Sequence, residues 1–247
     1  MPSSQAHSKG FCPMTMTRQA GSRLRSETPT KPDTSRPQPN IDQIEPLFPI
    51  PLMRSPRLLG SALIETAVAA IRQVRVDKNL RSDQLFHTEI VNPRDDKLFH
   101  EIAELTVPKL VEFGFLLFGE RLRWTVKEMW TNVLATGGSQ TLHAHANSFA
   151  SGVIYLTPSH PACKTVFVRA PGGLDFSFRH HTRQAAMGPF NAGKYVLPVA
   201  EPGDLVLFPS YLYHEVPRNQ GDQRITISFN AIPDSLDCWG YRINFTP

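Results

Sequence analysis

Two histidines separated by one residue, with a third far along the chain, constrain the fold more than any other feature. His143 and His145 flank Ala144, and His214 lies 69 positions after His145. Residues i and i+2 of a β-strand point to the same face, so the first two imidazoles can approach one ion from a single strand. Neutral imidazole binds iron, zinc, copper and nickel, and three protein ligands leave coordination positions open. The pattern therefore predicts a metal site built on β-strands.

A series of short strand-like runs fills the chain after residue 121. The runs are rich in β-branched and aromatic residues and are separated by Gly and Pro, which predicts an all-β core over 121–247. Gly137-Gly138, just before the first histidine, indicates a loop hinge. The predicted strands are 122–127, 129–134, 149–157, 164–169, 174–178, 195–199, 204–208, 211–216, 223–230 and 239–245.

Two stretches before this core have apolar residues at helical spacing. They cover 56–76 and 95–118 and predict a helical layer over 55–120. Pro108 lies inside the second stretch and is expected to kink or split that helix. The fold class is therefore mainly β with N-terminal helices.

Residues 1–44 form a leader rich in Pro, Ser, Thr and Arg, which cannot bury enough apolar surface to become ordered. A transit peptide or an over-long start is an alternative reading. Residues 1–40 contain six basic and two acidic residues, so the remaining 20 basic and 20 acidic residues cancel and the net charge of +4 belongs to the leader. A near-neutral folded part argues against a nucleic-acid-binding protein.

The three cysteines have no C-x-x-C spacing, which suits the reducing cytoplasm better than a disulfide scaffold. No run of 18 apolar residues is present, so we expect no membrane span. A cytoplasmic location is the resulting expectation.

Five features in a fixed order carry a resemblance to a known family. After the H-x-H pair come SGVIYL at 151–156, GGLDF at 172–176, PGDLVLFPS at 202–210, His214 and Arg224. This series resembles the iron(II)- and 2-oxoglutarate-dependent oxygenases, and most closely the bacterial and phage family of 2OG-Fe(II) oxygenases whose substrates are unassigned. The resemblance implies a double-stranded β-helix, the jelly roll that cupins also use.

The resemblance covers roughly residues 45–247, the predicted domain, and it implies specific metal ligands. His143 and His214 match ligand positions shared across the superfamily. His145 stands where most members have Asp or Glu, which implies a three-histidine iron site instead of two histidines and a carboxylate. The alternative is that His145 lies behind the ligands and Asp175 supplies the third one.

The resemblance also implies residues that hold 2-oxoglutarate. Arg224 matches the arginine that pairs with its distal carboxylate, and a planar guanidinium suits that bidentate contact. Thr226 lies on the same strand face and can donate a hydroxyl. Tyr155 and Asn132 match positions that face the same pocket, although core packing explains each of them equally well. A surface ion pair is the alternative reading of Arg224.

The function that the resemblance implies is oxidation of a small-molecule or amino-acid-like substrate with Fe(II), 2-oxoglutarate and O₂. Hydroxylation would accompany release of succinate and CO₂. Two alternatives stay open: a cupin-like three-histidine metalloenzyme that does not use 2-oxoglutarate, and a non-catalytic jelly-roll binding module. Trp124, Trp130 and Trp239 are expected in the core.

Overall fold

The computed structural model of the protein describes residues 46, 48–169, 182–184, 186–189 and 191–246. The leader predicted over 1–44, the strand predicted over 174–178 and Asp175 therefore lie outside the described residues. Within the described residues, no helix is long and apolar enough to cross a membrane.

The chain divides into two compact units. The larger comprises Ile50–Ala185 and Ala192–Pro247, and the smaller comprises Met1–Pro49 and Ala186–Asn191. In the described part of the smaller unit, the Asn191 carboxamide closes a turn, because it accepts a hydrogen bond from the Gly188 N–H at 2.6 Å and donates one to the Ala186 carbonyl at 2.9 Å. All helices and strands of the described residues belong to the larger unit.

Two α-helices precede most of the strands. They are α1, Ser61–Ile71, and α2, Lys97–Phe118. Helix α2 begins where the Asp96 side chain accepts a hydrogen bond from the Phe99 N–H at 2.9 Å, and it ends at Gly119 in the left-handed conformation. The prediction that Pro108 splits this helix is wrong. Pro108 lies on the exposed side, where water can satisfy the carbonyl that loses its N–H partner.

The described residues also contain twelve β-strands. In chain order they are β1 Met53–Ser55, β2 Asp77–Lys78, β3 Asp83–His87, β4 Trp124–His143, β5 Ala150–Tyr155, β6 Val166–Val168, β7 Lys194–Val196, β8 Leu205–Pro209, β9 His214–Val216, β10 Arg224–Pro233, β11 Ser235–Cys238 and β12 Tyr241–Asn244.

A curled antiparallel sheet contains ten of these strands, in the order β1-β8-β5-β10-β4-β9-β6-β7, with β3 beside β4 and β2 beside β3. Strand β4 is 20 residues long and connects the part of the sheet that contains β10 with the part that contains β9. Its first part pairs with β10, whereas Gln140 and His143 pair with β9. This shared, bent strand folds the sheet over itself and confirms the predicted jelly-roll class.

The loop hinge predicted at Gly137-Gly138 is wrong, because both glycines lie within β4. Gly137 has a φ of 81°, a conformation that glycine adopts without strain, and the pairing of β4 with β9 shifts between Gln140 and His143. The two glycines therefore bend a continuous strand where a loop was expected.

Strand β10 separates a polar face from an apolar face. Its odd-numbered residues from 225 to 231 are apolar and pack in the core with Phe99, Ile102 and Phe113 of α2. Its even-numbered residues on the opposite face are Arg224, Thr226, Ser228 and Asn230, all of them buried. Strand β10 thus seals the helical side and turns a row of polar groups toward the interior of the curled sheet.

The turn before β8 depends on Gly203. Its φ is 91°, and a Cβ there would fall 2.5 Å from the Leu59 carbonyl oxygen. Buried Asp204 follows it and accepts hydrogen bonds from the backbone N–H groups of Arg57, at 3.0 Å, and Glu201, at 3.1 Å. This turn holds β8 beside β5.

The last predicted strand, 239–245, is wrong in detail. Residues 235–244 form a hairpin of β11 and β12 that turns at Trp239 and Gly240, and both of these have positive φ. Trp239 is 96% exposed, so it does not belong to the core. The short strands β1, β2 and β3 were not predicted.

Candidate metal and anion site

The three predicted histidine ligands converge on one point. Nitrogen atoms of His143, His145 and His214 all lie within 4.8 Å of one another. The ring centroid of His143 is 4.2 Å from that of His214 and 5.3 Å from that of His145. In the part of the chain that the structure describes, they are the one group of three or more potential metal ligands at such distances.

Strand pairing places two of these side chains, and the third follows from chain continuity. His143, the last residue of β4, is directly paired with His214, the first residue of β9. His145 lies just beyond β4, where its backbone N–H donates to the Ser210 carbonyl at 2.9 Å. The first histidine of the H-x-H pair therefore lies on a strand, and a backbone hydrogen bond to the residue after β8 holds the second one.

Backbone carbonyls orient the rings of His143 and His214. The Nδ1 of His143 lies 2.8 Å from the Thr141 carbonyl, and the Nδ1 of His214 lies 3.0 Å from the Leu212 carbonyl. A carbonyl oxygen only accepts, so in each ring Nδ1 carries the proton and donates it. Each neutral ring then has an unprotonated Nε2 that can bind a metal ion.

Side chains orient the ring of His145. Its Nδ1 lies 2.6 Å from Asn230 Oδ1, which also accepts from the Ser151 hydroxyl at 2.7 Å. Asn230 Nδ2 donates in turn to Glu128 Oε1 at 2.6 Å, and the Lys127 ammonium lies 3.2 Å from the same oxygen. These bonds assign the amide orientation of Asn230 and leave His145 Nε2 unprotonated in the neutral ring.

Burial favours the neutral form of all three imidazoles. Burial, followed by the positive charge on protonated His143, lowers the pKa of His214 to about 3. Burial is also the largest cause that lowers the pKa of His143 and of His145. The rings are therefore neutral around pH 7, the form in which histidine binds metal ions.

Arg224 is a buried cation in the same interior. It is 4% exposed, its Nε donates to the Ser159 hydroxyl at 3.3 Å, and its guanidinium carbon lies 5.0 Å from the centre of the Tyr155 ring. No Asp or Glu of the described residues forms an ion pair with it. Because an unpaired charge is costly to bury, this arrangement favours an anionic partner for Arg224.

A narrow cleft connects Arg224 with the three histidines. Thr226 and Asn132 line it, are directly paired across β10 and β4, and are both buried. The Asn132 carboxamide donates to the Ser228 hydroxyl at 2.9 Å. The cleft is lined by Trp130, Asn132, Gln140, His143, His145, Val153, Thr165, His214, Val216, Arg224, Thr226 and Ser228.

Tyr155 lies beside this cleft and does not line it. Its hydroxyl is within 3.0 Å of the Thr165 hydroxyl, and its ring supports the Arg224 guanidinium. In this structure Tyr155 therefore positions Arg224, and Thr165 carries the polar group that reaches the cleft from this side.

Several polar residues around the histidines were not predicted from the sequence. Asn230 and Ser228 share the inner face of β10 with Arg224. The alternation of polar and apolar residues along this strand could have predicted that they face the same cleft. Gln140 lies with its Nε2 3.4 Å from His143 Nε2. Trp130, expected in the core, lines the cleft with its ring centroid 5.8 Å from that of His145, whereas Trp124 is buried in the core as predicted.

A family model matches the central part of the chain. Residues 128–230 match the model of the family described as "Putative 2OG-Fe(II) oxygenase". This segment contains all three histidines and Arg224, so the part of the chain that resembles the family is the part that holds the cleft. No curated protein matches the chain.

Solved structures share the fold at low sequence identity. HygX from Streptomyces hygroscopicus, with nickel and 2-oxoglutarate bound, is 13% identical with a TM-score of 0.54, covering 74% of this chain and 83% of HygX. A Pseudomonas putida prolyl-4-hydroxylase is 14% identical with a TM-score of 0.51, covering 73% of this chain and 92% of its own. SnoN, an α-ketoglutarate-dependent epimerase from nogalamycin biosynthesis, is 14% identical with a TM-score of 0.54. The match covers 75% of this chain and 80% of SnoN.

Proposed function

We propose that this protein is a non-haem Fe(II)- and 2-oxoglutarate-dependent dioxygenase that hydroxylates a small molecule. The observation that carries the proposal is a buried guanidinium, without an acidic partner in the described residues, in the same cleft as three imidazoles whose Nε2 atoms are unprotonated in the neutral rings. One cleft thus offers a site for a cation and a site for an anion.

The three histidines fit a divalent iron ion. All three rings offer neutral nitrogen, a donor suited to first-row transition metals, and Nδ1 hydrogen bonds hold each ring. In this proposal His143, His145 and His214 are the metal ligands. HygX, which shares the fold, has been solved with iron and with nickel bound, which supports a metal ion as a ligand of this fold.

Arg224 and its neighbours fit the distal carboxylate of 2-oxoglutarate. The guanidinium can form a bidentate pair with a carboxylate, and the Thr226 hydroxyl lies two residues away on the same face of β10. A dianionic co-substrate would lower the net charge of Fe(II), its three neutral ligands and the Arg224 guanidinium from +3 to +1. Charge balance therefore supports 2-oxoglutarate as the anionic partner of Arg224.

The residues of the chain bind the metal ion and the co-substrate, orient them and exclude water. Iron, 2-oxoglutarate and O₂, when bound, supply the oxidation, in which 2-oxoglutarate yields succinate and CO₂ and the substrate gains a hydroxyl group. The histidines keep three ligand positions occupied and leave others open. Arg224 and Thr226 fix the co-substrate, and the buried walls of β4, β5 and β10 shield the anion from water, which strengthens its pairing.

Substitution of Arg224 tests this function. Losing one partner of a buried charged pair costs about 2–5 kcal/mol, which corresponds to roughly 30-fold or more in affinity. We expect Arg224→Met to weaken 2-oxoglutarate binding by that factor while Fe(II) affinity is unchanged, and Arg224→Lys to lie between. Anaerobic calorimetric titration with 2-oxoglutarate measures the effect, and Arg242→Met, at an exposed arginine paired with Asp237, is the matched control.

Product analysis separates the proposal from its two alternatives. Wild-type protein with Fe(II) and O₂ should release one succinate for each 2-oxoglutarate consumed. Metal-dependent O₂ consumption that is independent of 2-oxoglutarate would identify a cupin-like three-histidine enzyme. Failure to bind a divalent metal would instead identify a binding module with structural histidines.

The remaining expectations belong to the same proposal. The substrate is a small molecule, and a nucleic acid is not expected, because the chain beyond residue 40 is electrically balanced. HygX has been solved with hygromycin B and SnoN with nogalamycin RO, so small organic substrates are compatible with this fold. A cytoplasmic location is supported by Cys163, which is buried and unpaired.

A further inference from the structure

A second cavity adjoins the histidines on the side away from Arg224. It has a volume of about 320 Å³ and shares His143 and His145 with the cleft, but neither Arg224 nor Thr226 reaches it. Small-molecule sites span about 300–1,000 Å³, so this cavity suits a small ligand. It is lined by Asn79, His87, Ile90, Glu128, Trp130, Asn132, Gln140, His143, His145, Ala146 and Asn230.

Glu128 contributes the one carboxylate among the described residues that line this cavity. Its Oε1 accepts from Asn230 and contacts the Lys127 ammonium, while its Oε2 has no partner in the described part of the chain. No described Lys or Arg lines the cavity. The wall therefore presents a free anionic oxygen and offers no cation to a ligand.

Two further lining residues present acceptors. His87 Nδ1 lies 2.9 Å from the Thr88 carbonyl and must donate to it, so Nε2 of the neutral ring is an acceptor. The Asn132 carboxamide uses its nitrogen for Ser228, which leaves its carbonyl oxygen without a partner among the described residues. Together with Glu128, three lining side chains have spare acceptor atoms.

The same wall also presents hydrogen-bond donors. The Asn79 carbonyl oxygen accepts from the Arg81 N–H at 2.9 Å, which leaves its NH₂ group as a donor. The indole N–H of Trp130 has no hydrogen-bond partner in the described residues. Its ring and the Ile90 side chain add apolar surface. A ligand that satisfies this wall must both donate and accept hydrogen bonds, as hydroxyl groups do.

We propose that this cavity binds the primary substrate, and that this substrate is a small polyhydroxylated molecule with an amino group whose ammonium pairs with Glu128. The proposal rests on the proposed function, because it places the substrate next to the metal ligands. It also narrows the substrate class. A carboxylate or phosphate on the substrate would meet the Glu128 oxygen and no described cationic side chain.

Three sugars that share one ring test this assignment: glucosamine, glucose and glucuronate. They differ by an amine, a hydroxyl and a carboxylate, so charge is the main variable. We expect protein loaded with Zn(II), a diamagnetic stand-in for iron, and 2-oxoglutarate to bind glucosamine most tightly and glucuronate most weakly. Saturation-transfer NMR titrations measure the three affinities. Equal affinities, tighter binding of glucuronate, or no binding of any of them would each overturn the assignment.

Two variants locate the effect in the cavity. Glu128→Gln keeps an acceptor for Asn230 but removes the charge, so glucosamine affinity should fall roughly tenfold, to the level of glucose. His87→Leu removes an acceptor that contacts no metal ligand, so glucosamine affinity should fall while Zn(II) affinity stays constant. Glu112→Gln, at an exposed carboxylate of α2, is the control and should change nothing. Unchanged glucosamine affinity in both cavity variants would also refute the assignment.

Failure of this inference and failure of the proposed function give different results. If wild-type protein does not bind 2-oxoglutarate, the proposed function is wrong, whatever the sugars do. If 2-oxoglutarate binds through Arg224 but glucuronate is preferred over glucosamine, the oxygenase assignment stands and the substrate class is wrong.

Discussion

The three histidines meet at one point, but two regions of the molecule hold them by different means. His143 and His214 lie on paired strands, and each donates its Nδ1 proton to the backbone carbonyl of the residue two positions earlier in the chain. His145 lies beyond its strand, and the side chains of Asn230 and Glu128 hold its ring. A backbone acceptor survives any side-chain substitution, whereas a side-chain acceptor can be lost in one step. The first region should therefore be robust, and the second sensitive to remote substitutions.

The largest effect should follow from removing a ligand in the backbone-held region. We expect His143→Ala and His214→Ala each to abolish Fe(II) binding, because two remaining imidazoles form too weak a site. Anaerobic titration with Fe(II) in the presence of 2-oxoglutarate measures this. His100→Ala, at an exposed histidine of α2, is the control. Metal binding by either site variant would remove that residue from the ligand set.

Substitution of His145 tests the other region. His145→Ala should lower Fe(II) affinity strongly, and His145→Asp should restore binding, because a carboxylate at this position can also reach the ion. The Asp variant should in addition lower the Fe(III)/Fe(II) potential, since its negative charge favours the ferric ion. The same titration and redox potentiometry measure both effects. An Ala variant that binds Fe(II) as tightly as wild type would show that His145 is not a ligand.

Loss of Asn230 should have a smaller effect and should separate the two regions. Partners that orient a metal-bound histidine typically change metal affinity by about 10–100-fold. Asn230→Ala should therefore weaken Co(II) binding within that range and alter its visible absorption spectrum. Thr141→Ala is the matched substitution in the other region, and it should have no effect because the Thr141 carbonyl remains. Equal effects of the two substitutions would contradict the comparison.

The metal-free protein should also be sensitive to acid. His214 has a pKa of about 3 when folded and 6.5 when unfolded, so both states are neutral at this residue above pH 6.5. Between pH 6.5 and 3 the unfolded chain binds a proton that the folded chain does not, and stability falls with the pH. The free energy of unfolding should drop by about 1.4 kcal/mol per pH unit from this residue alone.

Urea unfolding of the metal-free protein at several pH values measures that slope. His214→Gln lacks the titrating group, so it should lose stability less steeply than wild type over the same interval. Because carboxyl groups titrate in both proteins, the difference between the two slopes is the relevant quantity. Identical slopes would show that burial does not depress the pKa of His214 in this way.

Alternation along strands made part of this site predictable. The spacing of His143 and His145, and of Arg224 and Thr226, placed each pair on one face, and the structure brings all four residues to the same cleft. The partners of His145 could not be predicted in this way. Glu128 and Asn230 are 102 positions apart and meet because β4 and β10 pair at this point, just before their pairing shifts.

Local composition misled the prediction where tertiary pairing decides the structure. Gly137 and Gly138 indicate a loop when considered alone, but pairing with β3 and β9 extends β4 through them. Trp239 reads as a core residue from its size, yet it occupies the tip of an exposed hairpin. In both cases contacts with distant residues override the local preference.

The two faces of β10 limit how this protein can evolve. Deleting one residue near its start would send Ile225, Ile227 and Phe229 into the cleft and turn the polar row against the helices, because successive side chains point to opposite faces. Replacement of single residues can retune the cleft one position at a time. A change of length there would displace Arg224 from the cleft and remove the support of His145 together. Natural variants should therefore preserve the length of this strand even where its residues differ.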